Sequence, residues 1–221
     1  MRSGGGNLFL RVLVPAALVA ALAAFSIQRN HTWSDEVGLW EDVAGHSPGK
    51  ARPNFNLAVA YLNAGLWAEA EKGFRRTLEV YPDYHKAKYY IGESLFRQGK
   101  FDESLRFMKE VERLYEDILP SFPGKSAGVA AVFLRADLYN NMGSIYYNLG
   151  DRVRAEKYYM EALEADPSHL RAREGLVSSL LESGRRAEAL RQMEELLVRA
   201  PADYHRRQEV EDMIMTMRGG G

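Results

Sequence analysis

The strongest constraint on this chain is a pattern that returns after 34 residues. Its clearest copy starts at Ala136 and reads ADLYNNMGSIYYNLGDRVRAEKYYMEALEADP, two short amphipathic helices around a tight turn at Leu149-Gly150-Asp151. Met142, Tyr146, Tyr159 and Leu163 recur at helical spacing, while Gly143 and Ala155 are small where two helices must come close. Further copies start at Ala51, His85 and Leu170. The step is 34 residues from Ala51 to His85 and again from Ala136 to Leu170, but 51 from His85 to Ala136. A single helical pair cannot cover its own apolar face. Stacked pairs can, so the repeat fixes an all-α array.

The residues place the chain further. Large–small–large on the first helix (Met142, Gly143, Tyr146) and Ala–aromatic–Ala on the second (Ala155, Tyr159, Ala162), closed by Pro167, resemble the tetratricopeptide repeat. Leu57, Ala58, Tyr61, Ala70, Phe74 and Pro82 fit in the first unit, with Thr77 in place of an alanine. Ile91, Gly92, Leu95, Ser104 and Met108 fit in the second, and Leu176, Leu180, Ala189, Met193 and Pro201 in the fourth, where Val177 replaces the small residue. The resemblance implies a right-handed superhelix, an α-solenoid of about four helix pairs. Pairs are expected at 52–64/67–80, 85–98/101–117, 127–149/151–165 and 169–183/185–199, within units 51–84, 85–118, 136–169 and 170–203. Residues 28–50 read as a linker and a half repeat whose helix Ser34 caps, and 204–218 as a capping helix with Arg206, Arg207, Glu211 and Asp212 on its exposed side. The 17 extra residues in the middle lengthen the flanking helices around a Pro-rich insertion at 118–125. Residues 1–7 and 219–221 read as disordered ends.

Leu8 to Ile27 is apolar apart from Arg11. Twenty helical residues span roughly 30 Å, the thickness of a bilayer core. The segment is a transmembrane helix or a signal peptide cut after Ala21-Leu22-Ala23; its continuation through Ala24, Phe25 and Ile27 favours retention. Arg2 before it and Arg11 near its start, against Arg29 and then Asp35, Glu36, Glu41 and Asp42 after it, favour the N-terminus in the cytoplasm and the repeats outside it. The expected location is a bacterial inner membrane, single-pass, with the repeats in the periplasm; cleavage would leave a soluble periplasmic protein.

Charge excludes one class of partner. With 29 basic and 30 acidic residues, the chain lacks the footprint of a nucleic-acid binder. It has no cysteine, so thiolate catalysis and zinc–cysteine sites are out. His31, His46, His85, His169 and His205 form no i, i+4 pair. No catalytic residue, metal ligand or cofactor site is expected, and the chain reads as a non-enzyme.

The expected site is the inner face of the first helices, at the residues one, four, eight and eleven after each start. These are Arg52, Phe55, Val59 and Leu62, then Lys86, Tyr89, Glu93 and Phe96, then Asp137, Asn140, Ser144 and Tyr147, and last Arg171, Glu174, Ser178 and Leu181. The set suggests an extended or helical peptide with apolar anchors and some negative charge, its backbone bonded by Asn140. Arg29, Asn30, Trp33, Leu39, Trp40, Ser47, Pro48 and Arg52 also resemble the junction between the last membrane helix and the repeats in multi-spanning bacterial proteins similar to O-mannosyltransferases. That resemblance implies a membrane-protein partner. Three functions follow: a membrane-anchored binding scaffold, the non-catalytic tail of a split glycosyltransferase that presents acceptor proteins, or self-assembly of the solenoid through its ends or the insertion.

Overall fold

A computed structural model describes residues 14–19, 22, 35–118 and 125–219, with the backbone alone at 117–118 and 125–134. The expected membrane segment 8–27 therefore lies largely outside the described residues, as does most of the insertion 118–125. Residues 14–19 and 22 are helical, with Val14, Leu18, Val19 and Leu22 exposed. Among the described residues no helix is long and apolar enough to cross a membrane.

From residue 35 onward the described chain is helical throughout. A lone helix α1 (Glu36–His46) precedes four pairs: α2 (Ala51–Asn63) with α3 (Trp67–Val80), α4 (His85–Arg97) with α5 (Phe101–Ile118), α6 (Lys125–Asn148) with α7 (Arg152–Ala165), and α8 (Leu170–Glu182) with α9 (Arg186–Arg199). A last helix α10 (Arg207–Gly219) follows. Every observed pair limit lies within two residues of the expected one. The lengthening at the insertion takes the form of an 18-residue α5 and a 24-residue α6.

Local chemistry sets these limits. Gly65, Gly99, Gly150 and Gly184 stand at the same place in each unit with φ of 76°, 76°, 82° and 73°. Left-handed backbone there reverses the chain after each first helix, and the next amide closes the end: Leu66 N–H on Tyr61 O, Lys100 on Leu95, Asp151 on Tyr146 and Arg185 on Leu180, all at 2.9 Å. Helix α1 is capped by Asp35, which accepts from the amides of Val37 and Gly38, and not by the expected Ser34. Both residue types cap well; the helix begins one residue later than the acidic run suggested. Asp151 caps α7 and, less commonly, His169 caps α8 through Nδ1.

The chain divides into two compact units, Met1–Tyr81 and Pro82–Gly221. In the first, α2 packs on α1 and α3. Phe74 and Ala58 are fully buried, and Phe55 meets Phe74 with ring centroids 5.4 Å apart. A Cβ on Gly73 would come within 2.7 Å of the Ala58 methyl, so hydrogen on Gly73 is what lets α3 approach α2. Thr77, where an alanine was the usual residue, is buried and donates to the Gly73 carbonyl at 2.9 Å. Tyr61 donates to Glu41 at 2.7 Å, and burial with that carboxylate pushes its phenol up to about 12.

The second unit has a continuous core from Tyr89 through Met108, Leu138, Met142, Tyr159, Leu176 and Met193 to Ile214. Its centre is the Tyr159 ring on α7. A Cβ on Gly143 of α6 would lie 2.7 Å from it, and one on Gly175 of α8 only 2.4 Å. The close approach in the fourth repeat thus occurs at Gly175, two residues before the expected loose position, and Val177 is itself buried. At Gly92 the facing atom is the flexible end of Met108, at 2.9 Å.

At helix α10, three of the four residues expected on the exposed side, Arg206, Arg207 and Glu211, are half-buried. Val210 and Ile214 are buried against the array. Arg207 does not face solvent freely: its Nη2 donates to the carbonyls of Ala200 at 3.0 Å, Leu197 at 3.2 Å and Pro201 at 3.3 Å, closing the end of α9.

Candidate functional site on the first-helix face

In the second unit the first helices α4, α6 and α8 bring their stripes together. Asn141 of α6 donates to the Tyr89 hydroxyl of α4 at 3.0 Å, and Asn140 donates to Asn141 Oδ1 at 3.3 Å. Between α6 and α8, Arg171 donates to Asp137 Oδ1 at 3.4 Å, where His169 Nε2 also bonds at 3.2 Å. His169 Nδ1 already accepts the Ala172 amide, so the ring proton sits on Nε2 and points at Asp137. These bonds join three helices into one polar surface.

Burial sorts the expected residues. Lys86, Arg171 and Ser178 are exposed; Glu93, Phe96, Asp137, Ser144, Tyr147, Glu174 and Leu181 are half-buried. Tyr89 and Asn140 are buried, 7% and 5% exposed. They form a floor instead of an open surface, because the α4 and α6 stripes close on each other through Asn141. Asn140, expected to hold a peptide backbone, is engaged inside the protein, and its own carbonyl accepts from Ser144 at 3.0 Å. Glu174 is taken up as well: the Tyr204 hydroxyl donates to it, and Arg206 reaches it at 3.2 Å. In the first unit Arg52 is exposed, and Phe55, Val59 and Leu62 are half-buried.

Electrostatics follow from this burial. Burial, with Glu93 and Asp137 nearby, pushes the Tyr89 phenol well above its ordinary value. Burial also raises the Glu93 carboxyl, against the opposing pull of Arg97 and Arg171. At the far edge Tyr147 donates to Glu182, which raises the phenol and lowers the carboxyl. Arg152 lies 3.9 Å over the Tyr147 ring and donates to Glu182 at 2.6 Å. Asn141, Arg152 and Glu182 lay outside the expected stripe. The signal for Arg152 was present, since it opens the second helix directly after the turn.

Among the described residues the face brings together no nucleophile, base and orienter. Among the described residues no group of three or more His, Cys, Asp or Glu is placed to hold a metal ion. The face can present bonds, charge and half-buried rings to another molecule.

Comparison with known proteins agrees with this architecture. Residues 55–117 and 136–169 each match a family described as tetratricopeptide repeat. ETO1-like protein 2 of Arabidopsis thaliana is 40% identical over 73 residues, 32% of this chain; the chain spans only 8% of that protein's length. Among solved structures, MamA 41-end from Desulfovibrio magneticus RS-1 superposes with a TM-score of 0.60 at 16% identity, covering 83% of this chain and 94% of that one. YrrB, titled a TPR protein with an unusual peptide-binding site, superposes with 0.55 at 16% identity, covering 81% and 92%. At such identities the likeness is one of fold.

Proposed function

We propose that this chain, a tetratricopeptide-repeat protein, is a membrane-anchored scaffold that holds a peptide segment of a partner protein outside the cytoplasm. Repeats of this kind are in general protein-binding scaffolds. The observation that carries the reading is the joined face of α4, α6 and α8, linked by Tyr89–Asn141 and Asp137–Arg171. Its open groups are Lys86, Arg171 and Ser178, with the half-buried Phe96 and Tyr147 beside them. YrrB, a TPR protein with an unusual peptide-binding site, supports peptide binding on such a framework. The apolar run Leu8–Ile27 supports the anchor, and the charges around it support the side.

A photo-crosslinking side chain at Ser178, on the face, and another at Val153, which is 81% exposed on α7, test this in membranes. Partner peptides cross-linked from position 178 and not from 153 are expected; the reverse pattern sinks the reading. Sequencing the mature N-terminus tests the anchor: a start at Ala24 means a processed signal peptide.

A second reading rests on the junction Arg29 to Tyr61. In it the chain presents acceptor proteins to a separate membrane glycosyltransferase. A glycosyltransferase recovered at position 178 favours that reading, and a soluble client alone favours the first.

A further inference from the structure

Two arginines occupy the same place in successive repeats, and only one of them has a partner. Arg152 opens α7 and Arg186 opens α9, 34 residues later. Arg152 lies over Tyr147 and pairs with Glu182 of the next first helix, its Nη2 2.5 Å from the carboxylate. Advanced by one repeat, Tyr147 becomes Leu181 and Glu182 becomes Thr216. The apolar residue under the arginine is kept, and the carboxylate is not. Among the described residues Arg186 has no ion pair or side-chain hydrogen bond.

Its position makes this costly. Arg185 stands at the N-cap position of α9 without a side-chain capping bond and Arg186 is its first residue, so two cations stand at the positive end of a helix dipole. Arg185 is neutralised, by Glu188 at 2.7 Å and by Glu156. Arg186 is left exposed on the lip of a cleft of about 450 Å³. Leu181, Met213 and Met217 give this cleft apolar walls, and Thr216 lines it too. Methionine side chains adapt to apolar groups of several shapes. On the opposite lip, Glu209 is held by Arg206 at 2.8 Å and Asp212 accepts from Gln208 at 3.0 Å.

We infer that this cleft binds a partner peptide at a large apolar residue adjacent to one carboxylate. The apolar side chain lies against Leu181, Met213 and Met217. The carboxylate meets Arg186 where Glu182 meets Arg152 one repeat earlier. Asp212 across the cleft excludes a second acidic residue on that side, so the site selects a single acid next to the anchor and not a polyanion. This rests on the reading of the chain as a peptide-binding scaffold and gives that scaffold a defined end point on α8 and α10.

The test uses the full chain in detergent micelles, with methyl-labelled methionine and labelled amides, observed by NMR. The probes are the blocked peptides acetyl-Ser-Leu-Glu-Ser-amide and acetyl-Ser-Leu-Gln-Ser-amide. The Glu peptide is expected to shift the methyls of Met213 and Met217 to saturation, with the Gln peptide about fivefold weaker, as an exposed ion pair implies. Arg186→Gln is expected to erase that difference. Thr216→Glu supplies the repeat's own carboxylate and is expected to weaken the Glu peptide about tenfold, because Arg186 is then paired internally. Thr216 is exposed, so an unchanged thermal melt shows that this variant is folded. Equal affinity for the two peptides, or full binding to Thr216→Glu, overturns the inference. Shifts at Lys86, Ser144 and Ser178 with none at Met213 and Met217 leave the scaffold reading standing and remove the cleft. No shift anywhere removes both.

Discussion

The seam between α2 and α3 in the first compact unit and the seam around Tyr159 in the second solve one problem in different ways. Both must bring helices closer than two ordinary side chains permit. In the first, small meets small: Gly73 faces the Ala58 methyl and backbone. In the second, a whole aromatic ring is kept, and glycines on two different helices, Gly143 and Gly175, make a slot for it. A small–small seam ties one helix to one neighbour. A ring in a slot ties α7 to α6 and α8 at once, so a single side chain sets the spacing of two successive repeats. Its hydroxyl adds a link, donating to Ser144 at 3.3 Å.

The contrast can be broken most severely at the ring. Tyr159→Ala leaves a cavity between three helices and is expected to cost about 3–5 kcal/mol, read from denaturant melts. A loss under about 1 kcal/mol would show that the slot collapses and that the ring is not what spaces the helices.

Filling the slot comes next. Gly175→Ala places a methyl against a buried, rigid ring and is expected to cost about 1–3 kcal/mol, despite the gain in helix propensity from glycine to alanine. Gly73→Ala is expected to cost a similar amount, but the two seams separate in their rescue. Ala58→Gly should restore the Gly73 variant, whereas Gly175→Ala should be relieved only by shortening residue 159. A double-mutant cycle measures this. At Gly92 the obstacle is the end of the Met108 side chain, which can swing aside. Gly92→Ala is therefore expected to fall within about 0.5 kcal/mol of wild type, where propensity and crowding cancel.

The smallest effect sharpens the comparison by pH. Glu182, on the edge of the face, has its carboxyl lowered by the Tyr147 and Arg152 bonds. Its contribution is present above the ordinary glutamate value and lost as pH falls through the lowered folded value. Glu93, in the half-buried part of the face, has its carboxyl raised by burial, so its ionised form opposes folding and protonation relieves it. At pH 7 Glu182→Gln should lower the melting temperature slightly and Glu93→Gln should raise it. Both differences should vanish in acid. If both variants move in the same direction, burial is not what distinguishes the two positions.

Sequence carried the architecture because its determinants are periodic. The 34-residue step, the four glycines after the first helices and the prolines between units each act locally, so the helix limits were legible to within two residues. The face was legible only as a stripe. Spacing along one helix told which residues share a side, but not that Asn141 would reach across to Tyr89 and close the floor. Asn140 was assigned to a partner for that reason. Gly175 escaped because it does not sit at the repeat's usual small position. Its partner, Tyr159, belongs to the previous unit, and a contact between units leaves no mark in the period. Arg186 was invisible for a related reason: its meaning lies in the residue that a neighbouring repeat lacks.

The contacts of the second unit run between helices one or two places apart along the chain. This has a kinetic consequence. Few long loops must close before native contacts form, so collapse of one pair gives the next a template, and assembly proceeds by addition. The reverse process starts where a helix has a neighbour on one side only. Amide hydrogen exchange should therefore grade along the chain, with α10 exchanging at the lowest free energy and α7, held on both sides, at the highest. A ligand held against α10 slows exchange at that end first.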